Sequence, residues 1–195
     1  ATGSRSRSAR RSRARFRRRR SDRALPQCRR SRHWRVFRAE YLQCALAQLN
    51  AWASGATPWH FESATAVVRE TLELRMRLLP YLYSALAAYH FEGVPPIWPM
   101  AFEDAALGHV DDQFMFGPAM MACPVTTSGA TMRSVYLPAG ATWYDFWTGQ
   151  TNAGGQTVNA AAGIETMPIY VRAGSILPYG PDIQYATESV DPMEI

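Results

Sequence analysis

Residues 64–96, ATAVVRETLELRMRLLPYLYSALAAYHFEGVPP, hold the point at which the chain changes texture, and their reading decides the fold. Val68, Leu72, Leu79, Leu82, Tyr83 and Leu86 recur close to the helical period, which predicts a long amphipathic helix from Ala64 to His90. Ser63 is placed to cap its start. Glu73 stands four residues from both Arg69 and Arg77, where opposite charges support a helix. Pro80 has no N–H to give the helical ladder, so it should kink the helix or divide it in two. Gly93, followed by Pro95 and Pro96, supplies the stop.

Working back from this helix, Glu40–Ala47 reads as a short helix, Gln48–Ala53 as a short strand and residues 54–61 as a loop. Working forward, short apolar runs are punctuated by Gly and Pro about every 8–12 residues, the mark of an all-β fold. Strands are expected at Ile97–Phe102, Gln113–Phe116, Ala119–Val125, Ser134–Leu137, Thr142–Trp147, Gln156–Ala160, Pro168–Arg172 and Ser175–Leu177. Turns are expected at residues 117–118, 128–130, 138–141, 148–150 and 153–155. The architecture implied is sheet on sheet. Alternation along Trp143-Tyr144-Asp145-Phe146-Trp147 would put both tryptophans on one face with Asp145, and Tyr144 and Phe146 on the other.

Charge divides the chain a second time, near Ala39. All 21 basic residues are arginine, and 16 of them lie between Arg5 and Arg38 against the single acid Asp22, a net of +15. The other 5 arginines face 15 acids in residues 40–195, a net of −10, so the basic pI of 9.4 belongs to the leader. With almost nothing apolar to bury, residues 1–38 are expected to stay disordered. Arginines interleaved with Ser, Phe16 and Trp34 could neutralise phosphates and stack on bases, and an Arg-rich, Ser-rich, acid-poor start also suits a transit peptide. The lysine-free composition, the initial Ala and the abrupt change near Ala39 favour a third reading, a frame-shifted or incomplete reading of a GC-rich coding region.

No self-contained active site emerges. There is no GxSxG elbow, HExxH pair, phosphate loop or dinucleotide fingerprint. Cys28, Cys44 and Cys123 are odd in number and widely spaced, which suits buried thiols better than a disulfide framework. His33, His60, His90 and His109 are isolated and read as packing or surface residues; no metal site and no cofactor are expected. Asp111-Asp112, Glu103-Asp104 and Asp145 read as turn or capping residues, because catalytic carboxyls need a defined separation that strand neighbours do not hold. Trp143 and Trp147 read first as core and second as a sugar-stacking platform. No apolar run reaches the ~20 residues of a membrane helix, and no membrane partner is expected.

Four segments in order carry a resemblance: LRMRLLPYLYSALAAYHFEG (74–93), DDQFMFGPAMMACPV (111–125), SVYLPAGATWYDFWTGQ (134–150) and ETMPIYVRAGSILPYGPDIQYATE (165–188). Together they resemble glycoside hydrolase family 31, which includes α-glucosidases and α-xylosidases. The resemblance implies an α+β arrangement in which the last strand and helix of a (β/α)8 barrel, residues 39–93, are followed by an incomplete β-sandwich, residues 94–195, behind the leader of residues 1–38. It implies retaining hydrolysis of an α-linked glucoside or xyloside by two carboxyls on earlier barrel strands, absent from this chain. The fragment is accordingly expected to be inactive and to need the missing barrel for its packing. The family commonly places an Arg and a His after the last barrel strand; here QLNAWASG (48–55) stands there, and the resemblance gives Asn50 a sugar hydrogen bond and Trp52 a pocket wall. A free-standing carbohydrate-binding sandwich is the second reading, and nucleic-acid binding by the leader the last. If the leader is a misreading, mass spectrometry of the native protein will recover no peptides from residues 1–38; recovering them at normal abundance overturns that idea.

Overall fold

The computed structural model describes residues 62–194 apart from Ser128. The leader, the short helix at 40–47, the strand at 48–53, and Asn50 and Trp52 lie outside the described residues.

The long helix is two helices. α1 spans Glu62–Arg77 and α2 spans Leu79–Glu92, with the break at Leu78, two residues before Pro80. Pro80 sits in the first turn of α2, where a missing N–H costs nothing. Because α1 already begins at Glu62, Ser63 lies inside its first turn and not at the cap. Gly93 ends α2 in the left-handed conformation, φ 75°, and its N–H donates to Tyr89 O at 3.1 Å.

Eight strands follow: β1 (Ile97–Pro99), β2 (Phe114–Phe116), β3 (Met120–Ala122), β4 (Met132–Leu137), β5 (Thr142–Asp145), β6 (Thr151–Ala153), β7 (Gln156–Ala161) and β8 (Ile169–Arg172). Six form one antiparallel sheet in the order β1-β2-β3-β8-β5-β6, and β4 pairs with β7 in a second. The chain thus alternates between sheets, and the last strand, β8, fills the gap between β3 and β5.

The larger sheet has two working faces. Phe116, Met120, Ala122 and Ile169 pack on Leu78, Tyr81 and Leu82 of the helical layer. Met115, Met121, Trp143 and Tyr170 point the other way and pack on Val135, Leu137 and Ala160 of the smaller sheet. The fold is therefore helices, sheet, sheet, with a core on each side of the middle layer. Gln113 ties the two sheets together by copying a backbone pair: its Nε2 donates to Tyr136 O at 2.8 Å, and its Oε1 accepts from Tyr136 N at 2.9 Å.

Several strand limits differ from the sequence expectation for local reasons. β1 stops at Pro99, after which Met100–Phe102 turn into a 3-10 helix. Strand pairing in the expected Ala119–Val125 is confined to Met120–Ala122. β5 ends at Asp145 because its Oδ1 accepts from Trp147 N and Thr148 N, at 3.0 and 2.8 Å, and folds the chain away. The tryptophans consequently do not share a face: Trp143 is fully buried, whereas Trp147 is 43% exposed. Ser175–Leu177 is not a strand, since it follows the turn at Gly174, φ 77°, and pairs with neither sheet. Thr151–Ala153 is one, although Thr-Asn-Ala carries no apolar alternation; it is recruited by pairing with β5. On α2, Tyr83 and Leu86 are exposed, and the buried set is Tyr81, Leu82 and Ala85.

Tyr81 couples the helices to the sheet. Its hydroxyl donates to Phe116 O at 2.6 Å and accepts from Ala119 N at 2.9 Å and Met120 N at 3.3 Å, while its ring meets Phe116 edge-on with centroids 5.8 Å apart. Gly117, φ 61°, leaves room for it: a Cβ there would lie 2.3 Å from the hydroxyl oxygen. Tyr81→Phe leaves three buried backbone groups without that partner and should cost about 1–3 kcal/mol in urea denaturation of the full chain. Gly117→Ala should cost at least as much, and less in the Tyr81→Phe background than alone, because removing the hydroxyl relieves part of the clash. Purely additive effects would mean that the hydroxyl does not occupy that space.

Candidate functional site

Each carboxylate singled out in the sequence, wherever a partner is seen, is held by its own neighbourhood. Asp104 Oδ1 accepts from Ala106 N at 2.8 Å and caps the 3-10 turn at Ala105–Leu107. Asp145 Oδ1 adds a third bond, from Thr148 Oγ1 at 2.9 Å, to the two backbone amides that end β5. Asp112 Oδ2 stands 2.8 Å from Nη2 of Arg133, whose side chain is 9% exposed. The same guanidinium donates to the backbone oxygens of Asp112 and Pro124, so it knits the entry of β2 to the exit of β3. Asp111 is exposed beside it.

Glu103 is the most enclosed of the group. It accepts from Trp98 Nε1 at 2.9 Å and pairs with Arg172 Nη2, while the Arg172 guanidinium lies over the Trp143 ring, 5.1 Å from its centroid. This ladder of Trp98, Glu103, Arg172 and Trp143 crosses from the β1 edge to the middle of the sheet. The sequence carried no signal for it beyond the apolar runs that frame each residue, because its members are up to 74 positions apart and meet only when β8 enters between β3 and β5. Trp143 also donates its Nε1 to Pro138 O at 3.0 Å, which removes it from any sugar platform; Trp147 gives its own Nε1 to Met167 O at 2.7 Å.

The remaining reactive groups are muted by burial. Cys123 is fully buried, and desolvation pushes its thiol up to about 12. Burial also raises the Tyr81 phenol to about 12, against the opposing pull of the Ala119 and Met120 amides. His109 Nδ1 lies 3.0 Å from Ala106 O, and His90 meets Phe91 edge-on near the end of α2. Among the described residues, no group of three His, Cys, Asp or Glu could hold a metal ion, and no helix is long and apolar enough to cross a membrane. Asn50 and Trp52, the two sugar-contacting residues implied by the sequence, are not among these residues.

A helical layer ends at Gly93 and passes without a linker into a two-sheet sandwich. The sequence matches accord with it: residues 44–85 match the family 31 glycosyl hydrolase TIM-barrel domain, and residues 93–177 the family 31 C-terminal domain. An α-xylosidase of Saccharolobus solfataricus is 31% identical over 157 residues, 78% of this chain and 22% of that protein. Alpha-glucosidase 2 of Bacillus thermoamyloliquefaciens is 35% identical over 138 residues, 69% of this chain and 17% of that protein. Among solved structures, a dextranase of Flavobacterium johnsoniae complexed with isomaltotriose superposes with a TM-score of 0.71 at 28% identity, covering 80% of this chain and 20% of its own. An α-xylosidase from Xanthomonas citri gives 0.67 at 36% identity, covering 81% and 18%. The chain belongs to glycoside hydrolase family 31. It spans about a fifth of the length of these relatives.

The raised thiol and phenol carry a pH consequence. Cys123 is raised from 9.0 and Tyr81 from 10.0, each to about 12, so the native state keeps protons that the unfolded chain releases. Their contribution to stability is complete below the unfolded values and is lost as pH rises from about 9 towards 12. The denaturation midpoint should fall across that window, and Cys123 should resist a thiol reagent at pH 8 until the chain is unfolded. A flat alkaline limb would show that neither group is buried as described.

Proposed function

We propose that this chain is the C-terminal part of a retaining α-glycosidase, with residues 39–93 as the end of its catalytic barrel, residues 94–195 as most of the sandwich that follows, and residues 1–38 outside both. One observation carries the reading: the barrel match ends at residue 85 and the C-terminal match begins at Gly93, where the helix stops and the all-β fold begins. The names of its relatives, α-xylosidase, α-glucosidase and dextranase, favour an α-linked glucoside or xyloside as the substrate of the intact enzyme.

The chemistry of that enzyme is attack by one carboxylate on the anomeric carbon while a second carboxyl protonates the leaving oxygen, the two standing about 5 Å apart. This chain's share is the rim of the sugar pocket, because barrel sites form at the C-terminal ends of the strands. Asn50 there hydrogen-bonds a sugar hydroxyl and Trp52 walls the pocket. The sandwich braces the last helix through Tyr81. The described carboxylates with visible partners serve caps, turns and ion pairs, which supports the absence of a nucleophile and an acid from this piece. The exposed apolar side of α2, with Tyr83 78% and Phe91 82% exposed, suits burial against the rest of the barrel.

The purified chain should therefore give no turnover of aryl α-glucoside or aryl α-xyloside and should self-associate. Turnover abolished by substituting a carboxylate within residues 40–195, Asp112→Asn for example, overturns the assignment. A chain that stays monomeric at high concentration overturns the dependence on the barrel.

A further inference from the structure

The segment after β8 joins neither sheet. It returns across the junction of α1 and α2, and the contacts that fix it there converge on Arg77. Gly180 N donates to Arg77 O at 2.8 Å, and Arg77 Nε donates back to Gly180 O at 3.4 Å. Arg77 Nη2 reaches Glu194 Oε2 at 3.3 Å, and Nε lies 3.8 Å from Asp182 Oδ1. The guanidinium also lies over the Tyr179 ring, 4.5 Å from its centroid, and Phe146 stands beside that ring at 6.2 Å. Tyr179 and Glu194 exchange both of their backbone hydrogen bonds, each 2.8 Å, so residues 179–194 form a loop closed at its base.

Beyond that base the loop is lightly held. Its side chains are mostly exposed, Tyr185 at 67% and Met193 at 45%, and the two acids that meet Arg77 are 84% and 73% exposed. Exposed ion pairs are individually weak and are screened by salt. Between the loop and α2 runs an apolar groove of about 480 Å3, with Leu79, Leu82 and Leu86 on one wall and Pro178, Val190 and Met193 on the other. The groove exists only while the loop is held across the helix.

We propose that residues 178–194 are a strap latched at Arg77, and that releasing the latch opens the groove and uncovers its Leu79, Leu82 and Leu86 wall on α2 without unfolding the sandwich. The argument is one of unequal local stability. The sandwich rests on two buried clusters, whereas the strap reaches one of them through the Tyr179 ring and is otherwise held by Arg77 and a pair of backbone bonds, so it belongs to the segments that open first. Arginine suits the position because its planar group stacks on Tyr179 while its edges meet the acids and a carbonyl.

Hydrogen–deuterium exchange of the full 195-residue chain, read peptide by peptide, tests the latch. Arg77→Ala should speed exchange across residues 179–194 by roughly tenfold or more while β4 and β7 hold their protection. Arg77→Lys, which keeps the charge and loses the planar stack, should fall between. High salt should move the unaltered chain in the same direction, and a fluorescent dye for apolar surface should bind more strongly as the strap opens. If Arg77→Ala disturbs folding, an Asp182→Asn, Glu194→Gln chain decides, because it removes only the exposed ion pairs. Unchanged exchange at 179–194 in these variants, or equal acceleration of β4 and β7, overturns the proposal.

Discussion

One tyrosine hydroxyl holds the helical layer and the sandwich in register. Tyr81 Oη accepts from the amides of Ala119 and Met120 and donates to the carbonyl of Phe116 at the turn of the β2–β3 hairpin, where the ladder ends. Buried backbone groups without partners are expensive, so the hairpin turn can be buried under a helix only if the helix brings a group that both donates and accepts. A phenol does so without a charge. Gly117 is the complementary half of the arrangement, because no side chain could occupy the space that the hydroxyl fills.

With the hairpin fixed from one side, the sheet can be closed from the other. β8 arrives last and pairs with β3 through Met120–Val171, Met121–Tyr170 and Ala122–Ile169. Each pair sends one side chain layer to the helices or to the smaller sheet, so a one-residue slip would exchange the two cores. Arg172, at the end of β8, then reaches Glu103 near the first edge of the sheet, and the ion pair reports correct closure. The carboxylates that attract attention in the sequence are in this sense fasteners: Asp104 and Asp145 stop elements, and Asp112 and Glu103 engage arginines that span several strands.

The helix, its stop at Gly93, the break near Pro80 and the all-β remainder were legible because each depends on neighbours in sequence. The faces were less legible. α2 is apolar nearly all round, so periodicity did not distinguish Tyr81 from Tyr83; the hairpin turn does. β6 was hidden because Thr-Asn-Ala has no pattern of its own and is a strand only as the partner of β5. The end of β5 could be read in hindsight from Asp145 followed by Trp-Thr-Gly two residues on, an Asx-type turn that overrides an apolar run. The Glu103–Arg172 ladder and the meeting of Arg77 with Glu194 are products of topology alone. The sugar-contacting pair Asn50 and Trp52 came from resemblance and not from any physical pattern, and they lie outside the described residues.

The two sides of Gly93 bury their apolar residues in different ways. The sandwich buries Trp143, Phe116 and four methionines completely, with Gln113 and two arginines bridging its strands. α2 buries Tyr81, Leu82 and Ala85 against it yet turns Tyr83, Tyr89 and Phe91 outward. A helix apolar on every side is built to lie between two layers. The sheet is one of them, on the Tyr81 side. On the opposite side, among the described residues, stands the strap held by Arg77. Exposed apolar side chains therefore stand on both sides of Gly93, Tyr83 and Phe91 on the helix and Phe102 and Ile176 on the sandwich, so each side offers surface for further packing.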